Sequence, residues 1–240
     1  MSRIVSKLFM LMLLMGSMQV FAGNNKNPDE TVLINQTSVQ DAGGFPFKIT
    51  APGSYKLIGN LVVPANTTGV LVQSNDVTLD LNGFSIAGGI VCDNGGDNCT
   101  PPPTRDTSGV EAVVGVVNGK TANIFGVTIK NGHVRGFTNG VLTFGGIVEE
   151  ITAQSNLTGI FGFDAVIRKN DASRNNVDGI ACNQCVVTEN VAAFNQSNNF
   201  HLVFGGVFAS NTAVARAGLG VNISKDVVSL NNNSCNSTRC

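Results

Sequence analysis

Charged residues are scarce in this chain of 240 residues: they make up 13% of it, and there is no Trp and only one Tyr. A mainly helical protein needs more Glu, Lys, Leu and Arg for its solvated faces, so the composition disfavours a helical fold. The formal net charge is −1, without a basic segment, which predicts no nucleic-acid partner. Beyond the N-terminal segment no apolar run is long enough to cross a bilayer, so no membrane span is predicted.

The N-terminus has the pattern of a secretory signal peptide. Arg3 and Lys7 form a positively charged region, residues 8–15 form an uncharged apolar run, and small residues at Val20 and Ala22 precede the expected cleavage position. The apolar run is too short for a stable membrane span. We therefore expect residues 1–22 to be removed and the protein to be secreted or periplasmic.

The six cysteines fall into three local pairs along the chain, Cys92/Cys99, Cys182/Cys185 and Cys235/Cys240. An even number of cysteines behind an export signal favours disulfides, and local pairing is the simplest of the possible connectivities. The spacing of Cys182 and Cys185 also occurs in half a zinc site or a redox pair. Because no second such motif exists and only two His are present, we favour a structural disulfide and predict no metal or cofactor.

Glycine is abundant, with 28 in the chain. Four residue series in the C-terminal half share a period of about 20 residues, a length typical of stacked structural repeats. The first series pairs a glycine with an apolar residue, and Phe200 stands where a further glycine would be. The members are Gly140-Val141, Gly159-Ile160, Gly179-Ile180 and Gly220-Val221; Asn170, Asn190, Asn211 and Asn231; Ala153, Ala172, Ala192 and Ala213; and Ile147, Val166, Val186, Val207 and Val227.

A shared period of this length indicates one structural unit per repeat, stacked on its neighbours. The apolar runs within a unit are short, rich in Val, Ile and Phe, and separated by Asn or Gly, which predicts strands rather than helices. Leucine-rich repeats have a similar period but need a regular leucine ladder, which is absent. We predict an all-β, right-handed parallel β-helix with coils of about 20 residues. We expect Ala where the interior is narrow, and Asn at corners because it tolerates a left-handed φ and can bond to the next Asn.

The N-terminal half follows the same pattern less regularly. We expect residues 23–50 to form an N-terminal cap, because an open coil end would expose unpaired strands. The β-helix is predicted over residues 51–232, and residues 233–240 form a C-terminal tail. Residues 88–109 interrupt the pattern and are interpreted as a disulfide-tied loop. The acidic stretch between Cys92 and Cys99 could bind calcium, but it lacks the spacing of an EF-hand loop, and we favour a simple turn.

Several phrases of the sequence resemble those of secreted bacterial right-handed β-helix repeat proteins of the pectin-lyase-like superfamily. The resemblance covers about residues 50–232 and rests on Gly53-Ser-Tyr-Lys-Leu, Gly69-Val, Val77-Thr-Leu-Asp-Leu-Asn-Gly and Asn131-Gly-His-Val-Arg-Gly-Phe137. It implies the fold, and it makes polysaccharide the first ligand to consider. It implies no single activity, because that superfamily includes lyases, hydrolases, esterases and adhesins.

The best candidate for catalysis is the cluster Lys130, His133 and Arg135. A polysaccharide lyase needs a cation beside a uronate carboxylate and a base for the α-proton, and residues two apart on a strand share a face. The repeat alignment, however, places His133 in register with Ala153 and Ala172, which predicts an inward, structural side chain and argues against catalysis. A two-carboxylate glycosidase is disfavoured, because the only adjacent acidic pair would point to opposite faces.

Sugar-binding clefts usually present aromatic platforms, for which only Phe is available here. Phe194, Phe204 and Phe208 occupy apolar repeat positions and are expected in the core. We therefore predict a secreted β-helix that binds a polysaccharide or cell-surface glycan without catalysis. The alternatives are a small lyase acting on uronate polymers by β-elimination, and a structural or self-associating surface solenoid. The oligomeric state stays open.

Overall fold

A computed structural model of the chain describes residues 30–93, 98–100, 106–112, 114–117, 120–215, 220–223, 226–230 and 232–235. The predicted signal peptide, residues 1–22, lies outside the described residues. So do Asn231 and Cys240. No helix in the described part of the chain is both long enough and apolar enough to span a membrane.

The described elements are short strands and one short helix. In chain order they are β1 (Val32–Ile34), α1 (Gln36–Asp41), β2 (Phe47–Ile49), β3 (Gly53–Leu57), β4 (Leu61–Val62), β5 (Val70–Val72), β6 (Val77–Asp80), β7 (Ser85–Ala87), β8 (Val91–Cys92), β9 (Cys99–Thr100), β10 (Ser108–Ala112), β11 (Val114–Val117), β12 (Lys120–Asn123), β13 (Thr128–Arg135), β14 (Asn139–Phe144), β15 (Ile147–Ala153), β16 (Thr158–Phe163), β17 (Val166–Arg168), β18 (Asp178–Thr188), β19 (Val191–Ala193), β20 (Asn198–Ala209), β21 (Thr212–Val214), β22 (Gly220–Ile223), β23 (Val227–Ser229) and β24 (Ser234–Cys235).

The strands stack in parallel as a β-solenoid of about 8 turns, which confirms the predicted parallel β-helix. Each complete coil passes through three sheets. Sheet A contains β1, β3, β6, β17 and β23. It also contains the first parts of β13 and β15 and the second parts of β18 and β20. Sheet B contains β4, β7, β19, β21, β24 and the second parts of β13 and β15. Sheet C contains β2, β5, β10, β14, β16, β22 and the first parts of β18 and β20.

Side chains alternate between the interior and the outer faces, as the two-residue period of a strand requires. The interior of sheet B narrows toward the C-terminus, where Ala153, Ala172, Ala192 and Ala213 succeed Val134 and all are buried. Sheet C is wider inside, with branched or aromatic residues in register. They are Val70, Val110, Val141, Ile160, Ile180 and Phe200.

The solenoid is longer at both ends than predicted. β1 and β2 already pair with β3 and β5, so the stack begins inside the segment 23–50 that we expected to be a cap. Between them, α1 has a capping box of Asn35 with Ser38 and buries Val39. At the other end β24 pairs with β21, beyond the predicted limit at residue 232.

Two antiparallel hairpins leave the parallel stack. The first joins β8 to β9, is closed by the Cys92–Cys99 disulfide, and lies within the predicted loop 88–109. The second joins β11 to β12 and was not predicted from the sequence. Both excursions flank β10, which pairs on its two sides with β5 and β14, so the stack continues through them without a gap.

A ladder of buried asparagines lines the corner between sheets A and B. The Oδ1 atom of Asn190 accepts a hydrogen bond from the backbone N–H of Asn170 at 3.0 Å. The Oδ1 atom of Asn211 accepts one from the backbone N–H of Asn190 at 2.9 Å. Each Nδ2 group donates to a carbonyl of an earlier coil, at 2.9 Å from Asn190 to Ile167. The ladder continues at Asn233, which accepts a hydrogen bond from the backbone N–H of Asn211. The predicted member Asn231 lies outside the described residues.

Our reason for asparagine at these corners was wrong in one respect. The left-handed residue is the one before each ladder asparagine, such as Lys169 (φ 56°) or Glu189 (φ 58°). The asparagines themselves are selected because their amides satisfy backbone groups that the corner removes from the sheets. In the last coil the valine series also shifts, since Val228 and not Val227 pairs with Val207.

A second buried asparagine ladder, which the sequence analysis missed, lies at the corner between sheets B and C. It comprises Asn156, Asn175, Asn195 and Asn199, and each accepts from the backbone of the preceding member or of Phe137. The signal was present in the sequence, because the first three members recur at the same interval as the Asn170 series.

This second ladder explains the glycine series. A Cβ atom on Gly159 would lie 2.8 Å from Nδ2 of Asn175, so no side chain fits there. Phe200 pairs with Ile180 and therefore belongs to the apolar positions, not to the glycine position as predicted. Asn199 takes the glycine position, and its own side chain fills the place that a ladder asparagine occupies elsewhere.

Candidate functional site

The structure separates the three residues of the predicted lyase cluster. Lys130 lies in sheet A, where it pairs with Asp80 and Glu149, whereas His133 and Arg135 lie in sheet B. Between them the chain turns at Asn131, which has a φ of 58°. His133 and Arg135 are both exposed on one outer face, but Lys130 belongs to the neighbouring face.

The predicted inward orientation of His133 is wrong. His133 pairs with Thr152 and Ser85, and Val134 is the residue that pairs with Ala153 and fills the interior. The repeat alignment was one residue out of register. A shift of one residue in a strand moves every side chain to the opposite face, which is why His133 is exposed.

Lys130 is part of a row of alternating charge on the outer face of sheet A. In successive coils the row contains Lys56, Asp80, Lys130, Glu149 and Arg168. The Arg168 guanidinium contacts the Glu149 carboxylate at 2.7 Å. Since stacked coils lie about 4.8 Å apart, each charge inside the row has an opposite charge on either side. This arrangement accounts for Lys130 as a structural residue, without a substrate.

Aromatic side chains form a continuous surface on the outer face of sheet C and at the corner that follows it. The rings of Phe125 and Phe144 are 6.4 Å apart, those of Phe144 and Phe163 are stacked at 6.1 Å, and Phe161 and Phe163 are 4.8 Å apart. Phe125 is 56% exposed and the other three are half-buried. We call these four residues the aromatic face.

A polar group lies on the two coils that follow the aromatic face on the same sheet. Asp178 is 6% exposed and accepts hydrogen bonds from the backbone and the side chain of Asn198, at 3.1 and 2.8 Å. Its second oxygen lies 3.1 Å from Nδ1 of His201. His201 is the register neighbour of Ala181, which in turn neighbours Phe161. The polar group therefore continues the line of the aromatic face along the solenoid axis.

Sequence analysis missed both parts of this site. Phe125, Phe144 and Phe163 recur at the same interval as the other residue series, and this signal was visible in the sequence. Two of the phenylalanines that we expected in the core, Phe194 and Phe204, lie at corners and are 39% and 70% exposed. They do so because corner positions project side chains away from the coil.

Phe208 does lie in the core, where it is fully buried and its ring is 4.9 Å from that of Phe200. The core expectation thus holds for one of the three phenylalanines named from the sequence. Phe208 lies inside sheet A, in register with Val187, whereas the exposed pair follow sheets B and C at corners.

Disulfides are present where the local pairing predicted them. Cys182 and Cys185 are bonded and almost fully buried at the corner between sheets C and A. Cys92 and Cys99 are bonded across the first hairpin and partly exposed. Cys235 is also disulfide-bonded. The buried sulfur atoms of Cys182 and Cys185 are thus engaged in the core.

Metal-binding chemistry finds little support in the part of the chain that the structure describes. No group of three or more His, Cys, Asp or Glu side chains there is close enough to hold an ion. Residues 94–97, which belong to the calcium-loop alternative, lie outside the described residues. The predicted absence of a cofactor stays a prediction.

The chain is therefore a disulfide-containing parallel β-helix with an aromatic outer face. No protein-family model and no curated protein matches it. A solved structure that resembles it is the crystal structure of the Dettilon tailspike protein, with 13% sequence identity and a TM-score of 0.37. The similarity covers 86% of this chain and 52% of the tailspike chain, so this chain spans about half of that neighbour's length. At this level the likeness carries no argument about function.

Proposed function

We propose that this protein is a secreted or periplasmic β-helix that binds a polysaccharide or cell-surface glycan on sheet C without catalysis. The observation that carries the proposal is the aromatic face with a polar group in line with it. Phenyl rings offer apolar area to the C–H faces of sugar rings, and a few fixed polar groups set orientation. The disulfides fit an oxidising compartment, as the expected signal peptide does.

The proposal includes no lyase chemistry at the predicted cluster, of which only His133 and Arg135 share an outer face. Abstraction of an α-proton needs a base and a cation within reach of one sugar unit. Lys130 lies in a different sheet from His133 and Arg135. We expect no growth of unsaturated product when the wild-type protein is incubated with uronate polymers. Turnover that disappears in a folded His133→Ala variant would restore the lyase alternative.

Binding is tested by affinity electrophoresis and calorimetry against a panel of polysaccharides. Replacing Phe161 by Ala removes a ring at the centre of the site, and we expect a loss of about 1 kcal/mol, or roughly fivefold in affinity. Phe194→Ala is the matched control, because Phe194 is also partly exposed but follows sheet B, where it packs against Arg174 at 5.8 Å. Equal effects of the two substitutions would contradict the location of the site.

The same preparations distinguish glycan binding from the alternative of a self-associating solenoid. Sedimentation velocity with and without glycan measures whether the aromatic face is covered by a second copy. Loss of a dimer in Phe161→Ala, without any glycan binding by the wild-type protein, would favour association over sugar binding.

A further inference from the structure

We infer that the glycan bound on sheet C is uncharged and lies along the solenoid axis, one sugar unit after another over successive coils. The inference rests on the proposed function and adds the class of ligand and its direction. It comes from the charges around the aromatic face and from the order of the site residues along the stack.

The described charges on the outer face of sheet C are mostly acidic where the site lies. Glu111 is half-buried on the same outer row as Phe161, in the coil that precedes the site, and Asp178 is buried on the third coil of the site. Among the described strands of this sheet, Lys48 in β2 is the only Lys or Arg, and it lies in the first coil. Arg174, at the preceding corner, packs against the ring of Phe194.

A uronate polymer would place a carboxylate on nearly every sugar beside these acidic groups. Like charges that approach without an intervening cation repel, and the effect is strongest where one of them is buried. Lys130 and Arg168 lie on sheet A and face Asp80 and Glu149, and the exposed Arg135 lies on sheet B, so none of these three cations is on sheet C. The electrostatics of sheet C therefore select against the acidic polymers that the sequence resemblance first suggested.

A neutral sugar fits the same groups. Asp178 accepts two hydrogen bonds from Asn198 and contacts Nδ1 of His201 at 3.1 Å, and a carboxylate has about four acceptor positions. One position is left for a hydroxyl donor. The His201 side chain is 38% exposed, and its Nε2 atom is the ring nitrogen not turned to Asp178.

The direction of the ligand follows from the order of the coils. The site residues belong to β14, β16, β18 and β20, which are consecutive in sheet C; Phe161 and His201 lie on one outer row with Ala181 between them, and Phe144 lies on the adjacent outer row, in register with Phe163. Three spacings of about 4.8 Å give a site about 14 Å long, parallel to the solenoid axis. A glycan bound parallel to the solenoid axis therefore contacts the phenyl rings at one end and the polar group at the other.

The test compares polymers that share a backbone and differ in charge, for example polygalacturonate with its fully methyl-esterified form, and xylan with and without glucuronate branches. For each pair of polymers that binds, we expect the protein to bind the neutral polymer at least tenfold more tightly than the acidic one. Added salt should narrow that difference by screening. Neutral oligosaccharides of increasing length should gain affinity until they span about 14 Å and then level off.

Two charge variants separate electrostatics from folding. Glu111→Gln removes a partly exposed carboxylate on the site's own row and should raise affinity for the acidic member severalfold, with the neutral member little changed. Glu149→Gln, on the outer face of sheet A, is the matched control and should change neither. Asp178→Asn is not used as a test, because a substitution at this buried position would disrupt the fold.

The outcomes are distinguishable. Binding that depends on Phe161 but favours the acidic polymers would overturn this inference and leave the proposed function intact. Absence of any binding that depends on Phe161 would overturn the proposed function and the inference with it. Affinity that does not change with oligosaccharide length would refute the axial direction.

Discussion

Replacing Asn190 by Leu tests the asparagine ladder that closes the corner between sheets A and B. Asn190 is 1% exposed, and its Oδ1 accepts both the N–H and the side-chain amide of Asn170 at 3.0 Å. Its Nδ2 donates to the carbonyl of Ile167 at 2.9 Å and to Oδ1 of Asn211 at 3.0 Å. Leucine has similar bulk but makes none of these bonds.

The magnitude follows from the groups left behind. The buried N–H of Asn170 loses the acceptor on Asn190, at a cost of about 1–3 kcal/mol, and each other net bond contributes about 0.5–1.5 kcal/mol. Asn211 keeps the bond from the backbone N–H of residue 190, and the Asn170 amide keeps the carbonyl of Val148. We therefore expect a total loss of about 2–5 kcal/mol in the free energy of unfolding.

The assay is equilibrium denaturant unfolding of the oxidised protein. Asn183→Leu is the control, because Asn183 lies in β18, the strand before the corner that holds Asn190, but is half-exposed on the outer face. We expect that control to change stability by about 0.5 kcal/mol or less. If Asn190→Leu costs no more than the control, the ladder does not stabilise the corner and the reasoning fails.

Two further predictions concern Tyr55 and the disulfides. Burial raises the pKa of Tyr55 above 10.0. Folded protein thus holds this proton more tightly than unfolded protein, so its contribution is complete below pH 10 and is lost as the pH rises toward the folded pKa. Wild-type protein should lose stability more steeply than Tyr55→Phe in alkaline denaturant titrations, and parallel curves would contradict this. Under mild reduction, mass mapping should find the hairpin pair Cys92–Cys99 alkylated before the buried pair at the corner between sheets C and A, and the reverse order would contradict the burial argument.

The alternating charge row on sheet A gives Lys130 partners that are distant in the sequence. Lys130 is close to His133 in the sequence, which predicts a shared site. In the folded chain its neighbours are the residues one coil away, Asp80 and Glu149, and not those three positions along the strand. A solenoid replaces sequence neighbours with coil neighbours wherever a corner intervenes.

Much of the fold could be predicted because a solenoid repeats its contacts. Residues one period apart stack, so a series such as Ala153, Ala172 and Ala192 identifies an interior position without any structure. The Gly and Asn series likewise predict where the chain turns from one sheet to the next. The irregular segments were harder, since β11 and β12 break the period and carry no signal of their own.

The sequence by itself determined that the strands are short, parallel and stacked with one shared period, and that Cys92 pairs with Cys99 and Cys182 with Cys185. Only the tertiary structure decided which residue of each strand faces outward. The period of the sequence predicts which residues of successive coils align. Whether a side chain faces the interior or the solvent depends on the corner, where one residue with a left-handed φ changes the alternation. That is why His133 proved exposed and why the phenylalanines that recur once per coil formed an outer surface on sheet C.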